Sequence, residues 1–115
     1  MAPLDFQTTL SGAGDAVIAL SGELDLSGAP ALDREIEELS RRPEVQRVVL
    51  DLRGLAFLDS SGLRVVAMAE RRLSSGGRTL ALVRGSEAVQ RVFEITRLVE
   101  RLHFVDGAEL NGGAA

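Results

Sequence analysis

Phe57 to Val66 reads FLDSSGLRVV, an apolar run that ends in an aspartate and two adjacent serines before a segment with helical spacing begins. Asp59 or Ser60 can serve there as a helix N-cap, whose side-chain oxygen satisfies orphan amides and contributes about 1 kcal/mol. A cap requires neither a second hydroxyl nor Gly62, which leaves the Ser61 side chain uncrowded at the helix start. A phosphate on such a serine is expected to meet free backbone amides and the positive end of the helix dipole, an effect of about 0.3–2 kcal/mol. It adds roughly −1.5 to −2 charges at pH 7. A like charge facing it at about 4 Å costs on the order of 4 kcal/mol near a surface, and about 1.4 kcal/mol already weakens binding tenfold. The stretch therefore suits a phosphorylation switch inside an interface, with Ser60 and Ser61 both eligible as the acceptor.

Other chemistries fit less well. A Ser-His-Asp hydrolase would pair Ser60 or Ser61 with His103, but the G-x-S-x-G elbow is missing. Asp51, at an expected strand end, resembles the acceptor of a phospho-aspartate receiver domain, which also calls for an acidic pair and a lysine; the chain has no lysine. Asp51 and Asp59 lack the further ligands of a metal site. The turns SGAGD and SSGG lack the Gly-Lys-Ser ending of a phosphate loop. No catalytic residue, cofactor or metal is expected, and the chain is not expected to be an enzyme.

Composition narrows the classes further. All 13 basic residues among the 115 are Arg, which excludes a Schiff-base or phosphate-gripping lysine. The absence of Cys excludes disulfides, thiolate nucleophiles and cysteine-held zinc. A net charge of −4 with interspersed signs, and four Phe as the only aromatics, argue against nucleic-acid binding. No apolar segment approaches the roughly 20 residues of a membrane span, and no leader pattern opens the chain, so no membrane insertion is expected and the protein is read as cytoplasmic and soluble.

The elements that must position these residues follow from the periodicity. LDFQTTL and GAGDAVIALSG read as two strands joined by a Gly-rich turn. Leu32, Ile36 and Leu39 then mark a helix capped by Ser27, with Arg41 and Arg42 in its last turn and Pro43 as its stop. VQRVVLDLRG reads as an interior strand ending at Asp51 and covered on both faces. A second helix runs from Ser61 to Leu73, with Arg71 and Arg72 in its last turn, and RTLALVRG forms another strand. SEAVQRVFEITRL forms a third helix opened by a capping serine, and HFV a last short strand. Strands alternating with helices predict an α/β fold: one domain with a mixed, mainly parallel sheet of about four to five strands and helices packed against it. If the second and third strands are neighbours, Asp25 of the GELD turn and the serines share one rim, at the carboxyl ends where open α/β sheets bind ligands.

Three blocks resemble the STAS family, and most closely its single-domain bacterial anti-sigma factor antagonists: LSGELDLSGAPAL at Leu20–Leu32, VVLDLRGLAFLDSSGLRVV at Val48–Val66, and VQRVFEITRLVERLHFV at Val89–Val105. The resemblance implies a STAS domain over residues 4–106. Such domains usually finish with a further helix, and the chain departs from this: the polar, Gly-rich DGAELNGGAA reads as a flexible tail over 107–115. It implies a phosphoprotein that binds an anti-sigma factor serine kinase while unphosphorylated, is released on phosphorylation, and so regulates sigma-factor-dependent transcription, with a serine phosphatase as the resetting partner. By the same resemblance Ser61, the second serine of the Asp-Ser-Ser-Gly motif, is the phosphoacceptor. Asp25, Asp59, Ser60, Gly62, Leu63 and Arg64 join it in the partner-binding surface. The alternative within the family is a non-switching STAS subunit of a stress-signalling scaffold or transporter complex.

Overall fold

The computed structural model describes residues 2–107, the side chain of Val99 excepted. Strands β1 (Asp5–Leu10) and β2 (Asp15–Leu24) form an antiparallel hairpin, closed by a turn in which Gly14 takes φ +93° and Ser11 Oγ accepts the Ala13 and Asp15 amides. Helix α1 (Ala29–Ser40), strand β3 (Arg47–Leu58), helix α2 (Ser60–Ser75), strand β4 (Thr79–Val83), helix α3 (Glu87–Ile95), a 3-10 turn (Leu98–Glu100) and strand β5 (His103–Val105) follow. The sheet order is β1-β2-β3-β4-β5, with every pairing after the hairpin parallel. The α/β class and the mixed five-stranded sheet thus follow the expected order of elements. The expected tail lies, beyond Gly107, outside the described residues. No helix among the described residues is long and apolar enough to cross a membrane.

Strand β3 does not stop at Asp51 as its composition suggests but continues to Leu58. Ala19 pairs with Asp51 yet Ser21 with Gly54, and Gly22 pairs with Leu55 yet Glu23 with Phe57, so β3 gains one residue on β2 at each of two bulges. The buried positions there become Leu52, Leu55 and Leu58, three apart instead of two. A strand pattern read by alternation therefore breaks at the point where the strand is bulged. Gly54 permits the first bulge, because a Cβ there would lie 2.8 Å from the Leu20 carbonyl oxygen.

The helices occupy one face of the sheet. Leu32, Ile36 and Leu39 of α1, Val66, Ala69 and Leu73 of α2, and Val89 and Phe93 of α3 join Ile18, Val48, Leu50, Leu52 and Leu82 in one core. Among the described residues, no helix covers the other face, where Val49, Ala81 and Val83 form a small cluster with Val17 and Val105. The expected cover on both faces of β3 is present at Val48–Leu50, with helices supplying it on one face only among the described residues. Val49 is nevertheless fully buried, and the Arg47–Asp15 and Arg53–Asp51 ion pairs bracket it along the strand.

Two features of this frame give expected results. The Arg53 guanidinium donates to both Asp51 carboxylate oxygens, at 2.9 and 2.8 Å, and holds that carboxyl below its ordinary value of 3.8. A depressed folded-state pKa means that the unfolded chain binds the proton more readily. The pair's contribution is present above pH 3.8 and lost as pH falls through the lower folded value. Asp51→Asn is expected to cost less than about 1 kcal/mol at pH 7, and the difference from wild type in thermal unfolding should shrink steadily below pH 4. The second feature is Arg97, which follows α3 at φ +62°, a left-handed conformation that favours glycine. Arg97→Gly is expected to raise stability by about 0.5–1 kcal/mol, measured as an upward shift in the midpoint of thermal unfolding.

Candidate functional site

The two long parallel strands deliver their ends side by side. Leu24 of β2 pairs with Leu58 of β3, and the Asp59 amide donates to the Leu24 carbonyl at 3.3 Å. Asp25 and Asp59 are the residues that follow, so the rim expected from neighbouring strands is formed, and α1 and α2 both begin on it.

Each aspartate holds the entry to its helix. Asp59 is the N-cap of α2, and its Oδ1 accepts the amides of Ser61 at 2.9 Å and Gly62 at 3.2 Å. Asp25 takes the part expected of Ser27: its Oδ1 accepts the Ser27 hydroxyl at 2.7 Å, the Ser27 amide at 3.0 Å and the Gly28 amide at 3.3 Å. Gly28, not Ser27, occupies the N-cap position of α1 and contributes no side-chain bond. The Ser27 hydroxyl, followed by the amides, holds the Asp25 carboxyl below the usual carboxylate range. At the far end of α1, Arg41 and Arg42 fall beyond the last helical turn, and Arg41 pairs with Glu37 at 2.7 Å. Of the two arginines expected in the last turn of α2, Arg72 lies there.

The Asp59 cap changes what Ser61 offers. The first-turn amides of Ser61 and Gly62, expected to be free for a phosphate, are already committed to the Asp59 carboxylate. The Ser61 hydroxyl itself makes no hydrogen bond among the described residues. It is half-buried and lines a groove between α1 and α2 of about 430 Å³, together with Leu26, Pro30, Asp33, Arg64 and Met68. Ser60 is exposed and is not part of that groove.

Burial differs among the residues expected to face a partner. Asp25, Asp59, Ser60, Ser61 and Arg64 reach the surface, whereas Gly62 and Leu63 are buried. Helical geometry turns Leu63 into the core with Val66, and the close approach of α2 to the ends of β2 and β3 encloses Gly62. Beside these lie exposed apolar residues that the sequence reading did not single out. Leu26 is 74% exposed, Phe57 46% and Met68 42%, three large apolar side chains at or beside the rim. Their only sequence signal is an apolar residue out of step with its neighbours' periodicity, as Leu26 is within the polar stretch GELDLSG.

The other candidate groups do not converge here. Asp51 sits in mid-strand, bound to Arg53. His103 pairs with Ala81, which pairs with Val49, so it lies level with the middle of β3 and far from the end at Leu58 that leads to the serines. No group of three or more His, Cys, Asp or Glu among the described residues is arranged to hold a metal ion.

The family profile described as "Mlab, STAS domain" matches residues 8–105, which spans the whole sheet except the first three residues of β1. The chain belongs to the STAS family. This STAS domain is 28% identical over 93 residues to the anti-sigma F factor antagonist of Paenibacillus polymyxa, covering 81% of this chain and 80% of that one. Its fold superposes on the anti-sigma factor antagonist SpoIIAA in its unphosphorylated form with a TM-score of 0.79 and 25% identity, covering 92% of each chain. The phosphorylated form of the Bacillus cell fate determinant SpoIIAA shares the fold at a TM-score of 0.74 and 23% identity, covering 96% of this chain and 100% of that one.

Proposed function

We propose that this STAS domain is an anti-sigma factor antagonist, a binding protein that docks its rim and the α1–α2 groove on an anti-sigma factor and is released when Ser61 is phosphorylated. The observation that carries the reading is the uncommitted Ser61 hydroxyl beside an exposed apolar groove. An apolar patch with a small reactive group at its edge lets one covalent change act on the whole interface. The relatives bear the name anti-sigma factor antagonist, and SpoIIAA exists in unphosphorylated and phosphorylated forms. By this reading the partner is itself the serine kinase. The γ-phosphoryl group of ATP passes to Ser61 Oγ, ADP leaves, and the hydroxyl proton goes to a base of the kinase. The chain contributes binding and an acceptor, not catalysis.

A pull-down from the native organism's lysate, with wild-type and Ser61→Asp baits and mass spectrometry of the captured proteins, tests this. The expected result is an ATP-binding serine kinase held by wild type and lost with Ser61→Asp. Equal capture of transporter or scaffold proteins by both baits, with no kinase, would establish the non-switching subunit instead.

A further inference from the structure

Among the described residues, the groove beside Ser61 holds one cation without a carboxylate. Arg72, at the far end of α2, is engaged by Asp33 at 3.9 Å and Glu37 at 3.4 Å. Arg64 lines the groove with Ser61, is exposed, and makes no hydrogen bond or ion pair among the described residues. It stands three residues after Ser61 on α2, so the two share one helix face about 5–6 Å apart at Cβ. Side chains on a helix lean toward its N-terminus, so the Arg64 stem points back over Ser61.

The other charged groups around Ser61 are acidic, and its first-turn amides are already committed. Asp25 and Asp59 lie on it, Asp33 lines the groove from α1, and Asp59 occupies the Ser61 and Gly62 amides. A dianionic phosphate added among these carboxylates needs a cation, and Arg64 is placed to supply it.

We propose that Arg64 is the internal counter-ion of a phosphate on Ser61, its guanidinium donating to the phosphate oxygens within one helical turn. This rests on the reading of Ser61 as the phosphoacceptor and adds a second action to the switch. In the unphosphorylated protein Arg64 is free to meet an acidic group on a partner. Phosphorylation withdraws that cation in the same step that places negative charge on the interface.

The test uses the full chain with phosphoserine installed at position 61 by genetic encoding, which removes any dependence on a kinase. Phosphorus NMR follows the second ionisation of the phosphate, near pH 6 in an ordinary phosphoserine, in the Arg64 protein, in Arg64→Gln, in Arg64→Lys, and in Arg71→Gln as an exposed arginine of α2 outside the groove. Losing the counter-ion should raise that pKa by about half a unit in Arg64→Gln. Arg64→Lys should recover part of the shift, and Arg71→Gln should titrate like the parent. Identical titration of Arg64→Gln and Arg71→Gln would overturn the proposal. A failure of the switch reading shows separately, as anti-sigma factor binding that the phosphate leaves unchanged.

Discussion

Ser61→Asp is expected to weaken binding to the anti-sigma factor by roughly a hundredfold, with the fold intact. The substituted carboxylate projects into the edge of a groove lined by Leu26, Pro30 and Met68. A charge buried against apolar groups at an interface loses hydration, which an exposed Arg64 on the groove replaces only in part. A hundredfold loss corresponds to about 2.8 kcal/mol, which lies below the penalty on the order of 4 kcal/mol for facing a like charge at about 4 Å. Ser61→Ala should bind like wild type, because the hydroxyl makes no hydrogen bond that its removal could break. Ser60→Asp is the companion control. Ser60 lies outside the groove, so its substitution should change affinity by less than about tenfold. Calorimetry on the four proteins reads these differences, and circular dichroism confirms that each is folded.

Gly62→Ala is expected to be the most damaging single-methyl addition at the rim. A Cβ on Gly62 would lie 2.5 Å from Leu58 Cδ1, 2.8 Å from Leu24 Cγ and 3.0 Å from the Leu24 carbonyl oxygen. The leucines can turn aside only into a filled core, since both are buried, and the carbonyl is held by the Asp59 amide. The helix start must therefore lift from the strand ends. Overpacking of this kind costs about 1–3 kcal/mol, a fall of roughly 4–12 °C in thermal midpoint for a domain of this size. The displacement also moves Ser61 and the Asp59 cap, so binding should fall together with stability. A thermal midpoint unchanged from wild type would show that α2 does not approach the strands so closely.

Much of this was legible in the sequence for physical reasons that can be named. The hairpin, the three helices and the last strand announce themselves through turn glycines, the Ser86 cap and β-branched runs, and each forms, although α3 stops at Ile95 and not at the expected Leu98 because Arg97 turns left-handed. The shared rim follows from strand adjacency alone, since Leu24 and Leu58 are paired. The second half of β3 was not legible, because two bulges convert a period of two into a spacing of three that imitates a loop. Nor was the open face, because Val48 to Leu50 reads as continuously buried whether helices or flanking ion pairs exclude the water. The cap of α1 was misassigned because Asp25 and Ser27 are both good amide acceptors, and only the fold decides that the carboxylate reaches the amides. Ser60 and Ser61 are chemically equivalent in sequence. The groove distinguishes them by lining itself with one of the two.

The proposed switch requires Ser61 to be the acceptor of a regulatory phosphate. Mass-spectrometric mapping of phosphate on this protein, after incubation with the captured kinase and ATP, reads this out. A single phosphate is expected, located on Ser61 and absent from Ser61→Ala. Phosphate on Ser60 or elsewhere, or none at all under conditions where the kinase binds the protein, would contradict it.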